Sequence, residues 1–172
     1  MLLLLLACAG PSGGDDTGPS LPGDCPTSGD GTFDPASGCV GDLCLPVEYS
    51  EVEAVLGPSA ACQTAGSTSN CFWPAAGIDW TFTDCDGDGE PDPDRSSCDM
   101  FGQEVGLSVP YAGTTVDGLG LNVKRECWEA VLGPPGYDDV WTWDHTSVVL
   151  SLTVNFVEES AGHLYLYWSF DE

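Results

Sequence analysis

The reactive side chains of this 172-residue chain fall into three groups: an acidic loop, a set of cysteines and a set of aromatic residues. The loop reads Asp84-Cys85-Asp86-Gly87-Asp88-Gly89-Glu90-Pro91-Asp92-Pro93-Asp94. Carboxylates at alternate positions let oxygens converge on a hard cation, and glycine permits the sharp turn this requires. Asp84, Asp86, Asp88 and Asp92 are therefore candidate calcium ligands. Arg95 stands where a closing bidentate Glu belongs, so the affinity expected is weak, roughly 10⁻⁴–10⁻³ M. A solvated Asp/Gly hairpin needs no metal, and both readings stand.

Nine cysteines occur without a single C-x-x-C, and neither His145 nor His163 lies near a cysteine pair. Zinc is therefore a poor account, and disulfides in an oxidising compartment are a better one. The odd count has a source at the N-terminus. Leu5-Leu6-Ala7-Cys8 resembles the lipobox of bacterial lipoproteins, in which the cysteine is acylated and becomes the first mature residue. Setting Cys8 aside leaves eight. The apolar run before it is shorter than the usual 7–15 residues and no Lys or Arg precedes it, so a start further upstream is expected. Residues 1–7 then belong to a signal peptide. The resemblance implies export, a membrane anchor through the lipid and, in a Gram-negative host, sorting to the outer membrane.

Three basic residues face 28 acidic ones, a formal charge of −25. Nucleic acid is excluded as a partner, because phosphate contacts need clustered Lys and Arg. Residues 8–38 are rich in Gly, Pro, Ser, Asp and Thr, and read as a lipidated flexible tether.

The elements that must position the reactive groups come in two copies. Segment 42–59 (DLCLPVEYSEVEAVLGPS) and segment 118–135 (GLGLNVKRECWEAVLGPP) share nine of eighteen residues without gaps, where chance supplies about one. Each has the grammar of a short helix stopped by Gly-Pro, Gly57-Pro58 and Gly133-Pro134. Pro46 is expected at the first helical position, Val52, Val55 and Leu56 on the buried face of the first helix, and Val123, Cys127, Val131 and Leu132 on that of the second. Helices this short must dock on something. Strand patterns follow: Ile78, Trp80 and Phe82 alternate, as do Val105, Leu107 and Val109, residues 148–157, and residues 164–170. The fold class expected is α+β, with two tandem repeats, each a short helix packed on an antiparallel β-sheet and stapled by disulfides. The first repeat spans 39–117 and the second 118–172.

The pattern G-L-x-L, a short helix ending L-G-P-P, then W-x-W and antiparallel strands resembles the helix-plus-sheet repeat of the outer-membrane barrel-assembly small lipoproteins and of the β-lactamase inhibitory proteins. It covers roughly residues 42–172. The latter family bridges the helix end to the first strand, and Cys62 and Cys71 stand in the matching places. The remaining cysteines point to Cys85–Cys98 across the acidic loop, Cys25–Cys39 and Cys44–Cys127, although eight cysteines allow 105 pairings. The resemblance implies recognition through the sheet and its hairpin tips, here with Asp79 beside the tip at Pro74–Gly77. It carries no inference of β-lactamase inhibition.

Trp73, Trp141, Trp143, Tyr165 and Tyr167 form either a core stripe or an aromatic sheet face left open by the helices, suited to another envelope or secreted protein or to a glycan. Asp144 and His145 are sequence neighbours whose side chains diverge, and no nucleophile elbow or phosphate loop occurs. A non-catalytic protein-binding or scaffold module acting through its sheet face is expected, with a calcium-stabilised surface module built on the Asp84–Asp94 loop as the alternative.

The loop reading carries a test. At ~3 mM calcium, a ~0.3 mM site that binds only the folded chain stabilises it by about 1.4 kcal/mol. A thermal melt of the oxidised protein should rise with calcium and not with equal magnesium, and Asp86→Asn with Asp88→Asn should abolish the rise. Superimposable melts reduce the loop to a solvated turn.

Overall fold

The computed structural model describes residues 21–83, 101–145 and 148–170. The chain begins with β1 (Phe33–Asp34), β2 (Cys39–Val40) and β3 (Leu43–Cys44), then β4 (Val47–Glu48) and α1 (Tyr49–Leu56). Next come β5 (Ala61–Ala65), β6 (Thr68–Trp73), β7 (Ile78–Thr83) and β8 (Phe101–Leu107). After α2 (Arg125–Leu132) it ends in β9 (Val140–His145), β10 (Val148–Val157) and β11 (Ser160–Phe170). Strands β1, β2 and β3 form a small sheet; the others form one antiparallel sheet in the order β5-β6-β7-β8-β11-β10-β9, with β4 also on β8. Both helices cover the same face of that sheet. Tyr49 of α1 meets Trp73 and Phe82, and Trp128 of α2 meets Trp141.

Each helix has eight residues, too few to persist alone. Side chains driven into the core hold them, above all the fully buried Val52 and Trp128. Trp128 is the anchor of α2, a role the sequence reading assigned elsewhere; Cys127 is buried, while Val123, Val131 and Leu132 are only partly so. Val55 is exposed, and Val109 lies beyond the end of β8, also exposed. Pro46 does not open α1. Glu48 is the N-cap, and the Glu51 carboxylate reaches back to accept from its backbone N–H at 3.2 Å, in the manner of a capping box.

Several features recur on the two sides of the sheet. Gly57 and Gly133 end their helices with φ near 80° and each offers its carbonyl to an indole, Trp73 Nε1 at 2.8 Å and Trp141 Nε1 at 2.9 Å. The residue before each helix joins the sheet: Glu48 pairs with Phe101, and Lys124 with Ser160. The β7–β8 ladder is bulged at Thr81/Phe82 and the β10–β11 ladder at Asn155/Phe156. Where Tyr49 packs edge-on to Phe82 at 5.4 Å, Arg125 lies over Phe156 at 4.3 Å and pairs with Asp139. Strand β8 meets β11 in the middle, Val105 opposite Leu166 and Leu107 opposite Leu164, all buried.

Residues 22–38 belong to this body and are not tether. Composition alone misjudged them, because the contacts that offset their ordering entropy come from far along the chain. Phe33 is buried. The Asp30 carboxylate accepts from the backbone N–H groups of Thr32 and Thr114, each at 3.0 Å, which pulls its pKa down to about 2. Gly29 and Phe33 bond the backbone of Val116 and Thr114.

The disulfides in this region are Cys25–Cys127 and Cys39–Cys44, which replaces the expected Cys25–Cys39 and Cys44–Cys127. The antiparallel turn from β2 to β3 sets Cys39 directly opposite Cys44, and that local pairing leaves Cys25 to reach α2. Cys62–Cys71 is also formed.

In the chain-entropy picture, a bridge closing a long loop contributes about 4.7 kcal/mol and one closing a very short loop about 2 kcal/mol. Cys25–Cys127 spans 102 residues and Cys39–Cys44 spans 5. Equilibrium denaturation of the two paired Cys→Ser variants should therefore find the first markedly more destabilised. Equal losses would argue against it.

Candidate functional site

A strand side chain faces opposite to its neighbour, so the register decides which residues share the face away from the helices. One row across that open face is Phe72, Asp79, Gly106, Tyr165, Thr153 and Val140. The next is Asn70, Thr81, Glu104, Tyr167, Ser151 and Thr142. The centre of the face, along the β8–β11 seam, thus holds Asp79, Glu104, Tyr165 and Tyr167, with His163 stacked on Tyr165 at 6.4 Å between ring centroids.

Gly106 shapes this centre. A β-carbon there would lie 2.6 Å from both carboxylate oxygens of Asp79, so the carboxylate rests on bare backbone. An isolated glycine within a strand marks such a close approach. Burial raises the Asp79 pKa, while a hydrogen bond from the Asn70 amide and the nearby His163 hold the rise back. Burial also raises Glu104, and the charge of Asp79 adds to it. Tyr165 is raised by burial and then by the Asp79 and Glu104 carboxylates. Asn70 Oδ1 is buried with no hydrogen-bond partner. The centre is therefore rich in acceptors and in negative charge held partly out of water, beside tyrosine rings. Such a surface takes hydrogen-bond donors and cations.

Of the residues nominated from sequence, Asp79, Tyr165 and Tyr167 come together here, and Tyr167 is 41 % exposed. The three tryptophans do not. Trp141 and Trp143 lie opposite Leu152 and Leu150, which are buried, so strand parity turns them toward the helices. Trp73 and Trp141 are buried against the helix ends, where their indole N–H groups find the glycine carbonyls, and Trp143 is half-buried against the core. Sequence reading missed Glu104, His163, Asn70 and Gly106. Gly106 was the available signal, but its meaning required knowing that Asp79 lies opposite.

Cys8, the candidate calcium ligands Asp84, Asp86, Asp88 and Asp92, and Cys85 with Cys98 lie outside the described residues. Among the described residues, no group of three or more His, Cys, Asp or Glu side chains is arranged to hold a metal. No family model, curated protein or solved structure matches this chain.

The carboxyl pair sets a pH dependence. A carboxylate whose pKa is higher in the folded state stabilises the fold while protonated, and that contribution is lost as pH rises through the raised value. Urea denaturation from about pH 4 to about pH 8 should therefore show Asp79→Asn losing less stability over the climb than wild type. Parallel profiles would mean that Asp79 is not held out of water.

Proposed function

We propose that this chain is a non-catalytic cell-envelope lipoprotein that binds another envelope or secreted protein through the open face of its sheet. The observation that carries the reading is the face's centre, where Asp79 and Glu104 sit half-buried beside Tyr165 and Tyr167. Carboxylates held partly out of water cost stability, and retaining them is reasonable where a partner supplies the missing donors. Tyrosine contributes large contact area with few rotors, which suits it to the same task.

Export is supported by the three disulfides among the described residues, since such bonds persist in oxidising compartments, and anchoring through Cys8 rests on the lipobox-like Leu5-Leu6-Ala7-Cys8 alone. The reading of two tandem repeats is supported by the paired helix ends, the matching bulges and the equivalent bridges of Glu48 and Lys124. The corresponding positions have diverged at the centre of the open face. Register equates Glu104 with His163 and Gly106 with Tyr165, so one half brings acid and the other imidazole and phenol. A face built from two diverged copies offers one composite site, not two equal ones.

The test is capture from envelope extract with the oxidised protein and with Tyr165→Ser combined with Tyr167→Ser. Wild type should retain a protein that the double variant loses, with the affinity of the purified pair falling at least about tenfold, or 1.4 kcal/mol, as expected for exposed aromatic anchors. Retention of the same proteins by both baits would remove the face from consideration.

A further inference from the structure

The large sheet ends in two edges, and they are built differently. At β9 the edge is guarded. The N–H and C=O of Val140 are both occupied by the preceding turn, bonding Tyr137 at 2.8 Å and Gly136 at 3.0 Å. Asp144 puts an exposed charge on the same strand, and the His145 ring is tied to the carbonyl of Ala36 at 3.0 Å. Charges and covering turns are the usual means of stopping an edge from pairing with another chain.

Among the described residues, none of these devices guards β5. Its five residues, Ala-Cys-Gln-Thr-Ala, include no charge and no proline in a chain of formal charge −25, and all but Cys62 are exposed. Its pairing with β6 runs unbroken from Ala61 to Ala65. The Cα atoms of Cys62 and Cys71 are 4.0 Å apart, the close spacing of a pair that does not exchange hydrogen bonds. Two residues on, the Thr64 and Ser69 hydroxyls meet at 2.9 Å, in the same phase of the ladder. The N–H and C=O of Cys62 and Thr64 therefore point away from β6, as a row of donors and acceptors without partners among the described residues.

This strand also has no counterpart in the other half. Trp73 follows Gly57 by 16 residues and Trp141 follows Gly133 by 8, and the extra residues are those that form β5 and its turn.

We propose that β5 is a strand-addition site that accepts an extended, lysine- or arginine-bearing segment of a partner protein. Main-chain hydrogen bonds would go to Cys62 and Thr64, as in other complexes formed at a free sheet edge. Charge decides the occupant. The helix leading into β5 opens with exposed Glu48, Glu51 and Glu53 and has no basic residue in its last turn. The whole chain carries three basic residues against 28 acidic ones. A second copy would bring one large negative charge against another, whereas a basic segment meets a complementary field. This site lies on the rim of the sheet and stands apart from the reading of its open face.

The experiment uses the oxidised full chain and two probes. One is a peptide of alternating Lys and Val; the other has equal charge but a central proline. Amide hydrogen exchange should slow at Cys62 and Thr64 by about tenfold or more with the first peptide only. Thr64→Pro removes an outward N–H and the hydroxyl contact to Ser69 but leaves the backbone bonds of the β5–β6 ladder in place, and it should abolish the protection at Cys62. Gln63→Lys, a milder change that places like charge on the edge, should weaken binding of the alternating peptide in any case. Equal protection by both peptides would reduce the effect to diffuse charge attraction and overturn the proposal. So would a dimer of the chain alone with Cys62 and Thr64 already protected, which would make a second copy the occupant. Binding of the alternating peptide that leaves both amides unchanged would overturn it too.

Discussion

The antiparallel seam between β8 and β11 joins two half-sheets, each with its own short helix, and the other contacts are arranged about it. Val105, Leu107, Leu164 and Leu166 are buried along it and supply the floor on which the helices rest. Neither eight-residue helix would hold its shape in water. Each is pinned at one end by backbone pairing of its leading residue with the sheet, and at the other by an indole bonded to its terminal glycine. Between these points Val52 or Trp128 fills the core. The sheet thus makes the helices possible, and the helices keep one face of the sheet dry.

What the seam does for packing it also does for recognition. The register that sets Val105 opposite Leu166 on the buried side sets Gly106 opposite Tyr165 and Glu104 opposite Tyr167 on the other. Gly106 contributes no side chain, and Asp79 from the next strand fills the space. The result is a compact group of acceptors beside phenol rings, held on paired strands whose other face is buried. A rigid floor matters for binding because little ordering remains to be done when the partner arrives.

The N-terminal segment extends this logic beyond the sheet. Cys25 is bonded to Cys127 on the face of α2 that enters the core, and Asp30 gathers the backbone around Thr114. These contacts close the chain on itself over long sequence distances, compensating for a segment with few apolar residues. Phe33 is the exception, and it is buried.

The helix ends, the alternating strands and the sequence likeness of segments 42–59 and 118–135 were legible from residue types and spacing, because capping, periodicity and repetition are local signals. Gly57-Pro58 and Gly133-Pro134 stop their helices as their chemistry dictates, and Ile78, Trp80 and Phe82 all face inward. Asp79, Tyr165 and Tyr167 could be nominated from alternation alone. Their convergence could not, since it depends on which strand lies beside which and at what offset. For the same reason the tryptophans were placed on the wrong face: parity along a strand is visible in sequence, but the side covered by helices is chosen by long-range packing. The partners of Cys25 and Cys44, the folding of residues 22–38 and the unguarded edge at β5 are likewise products of chain segments meeting across the fold. Local patterns encode what each segment can become, and tertiary contact decides which of its surfaces is buried, paired or left free.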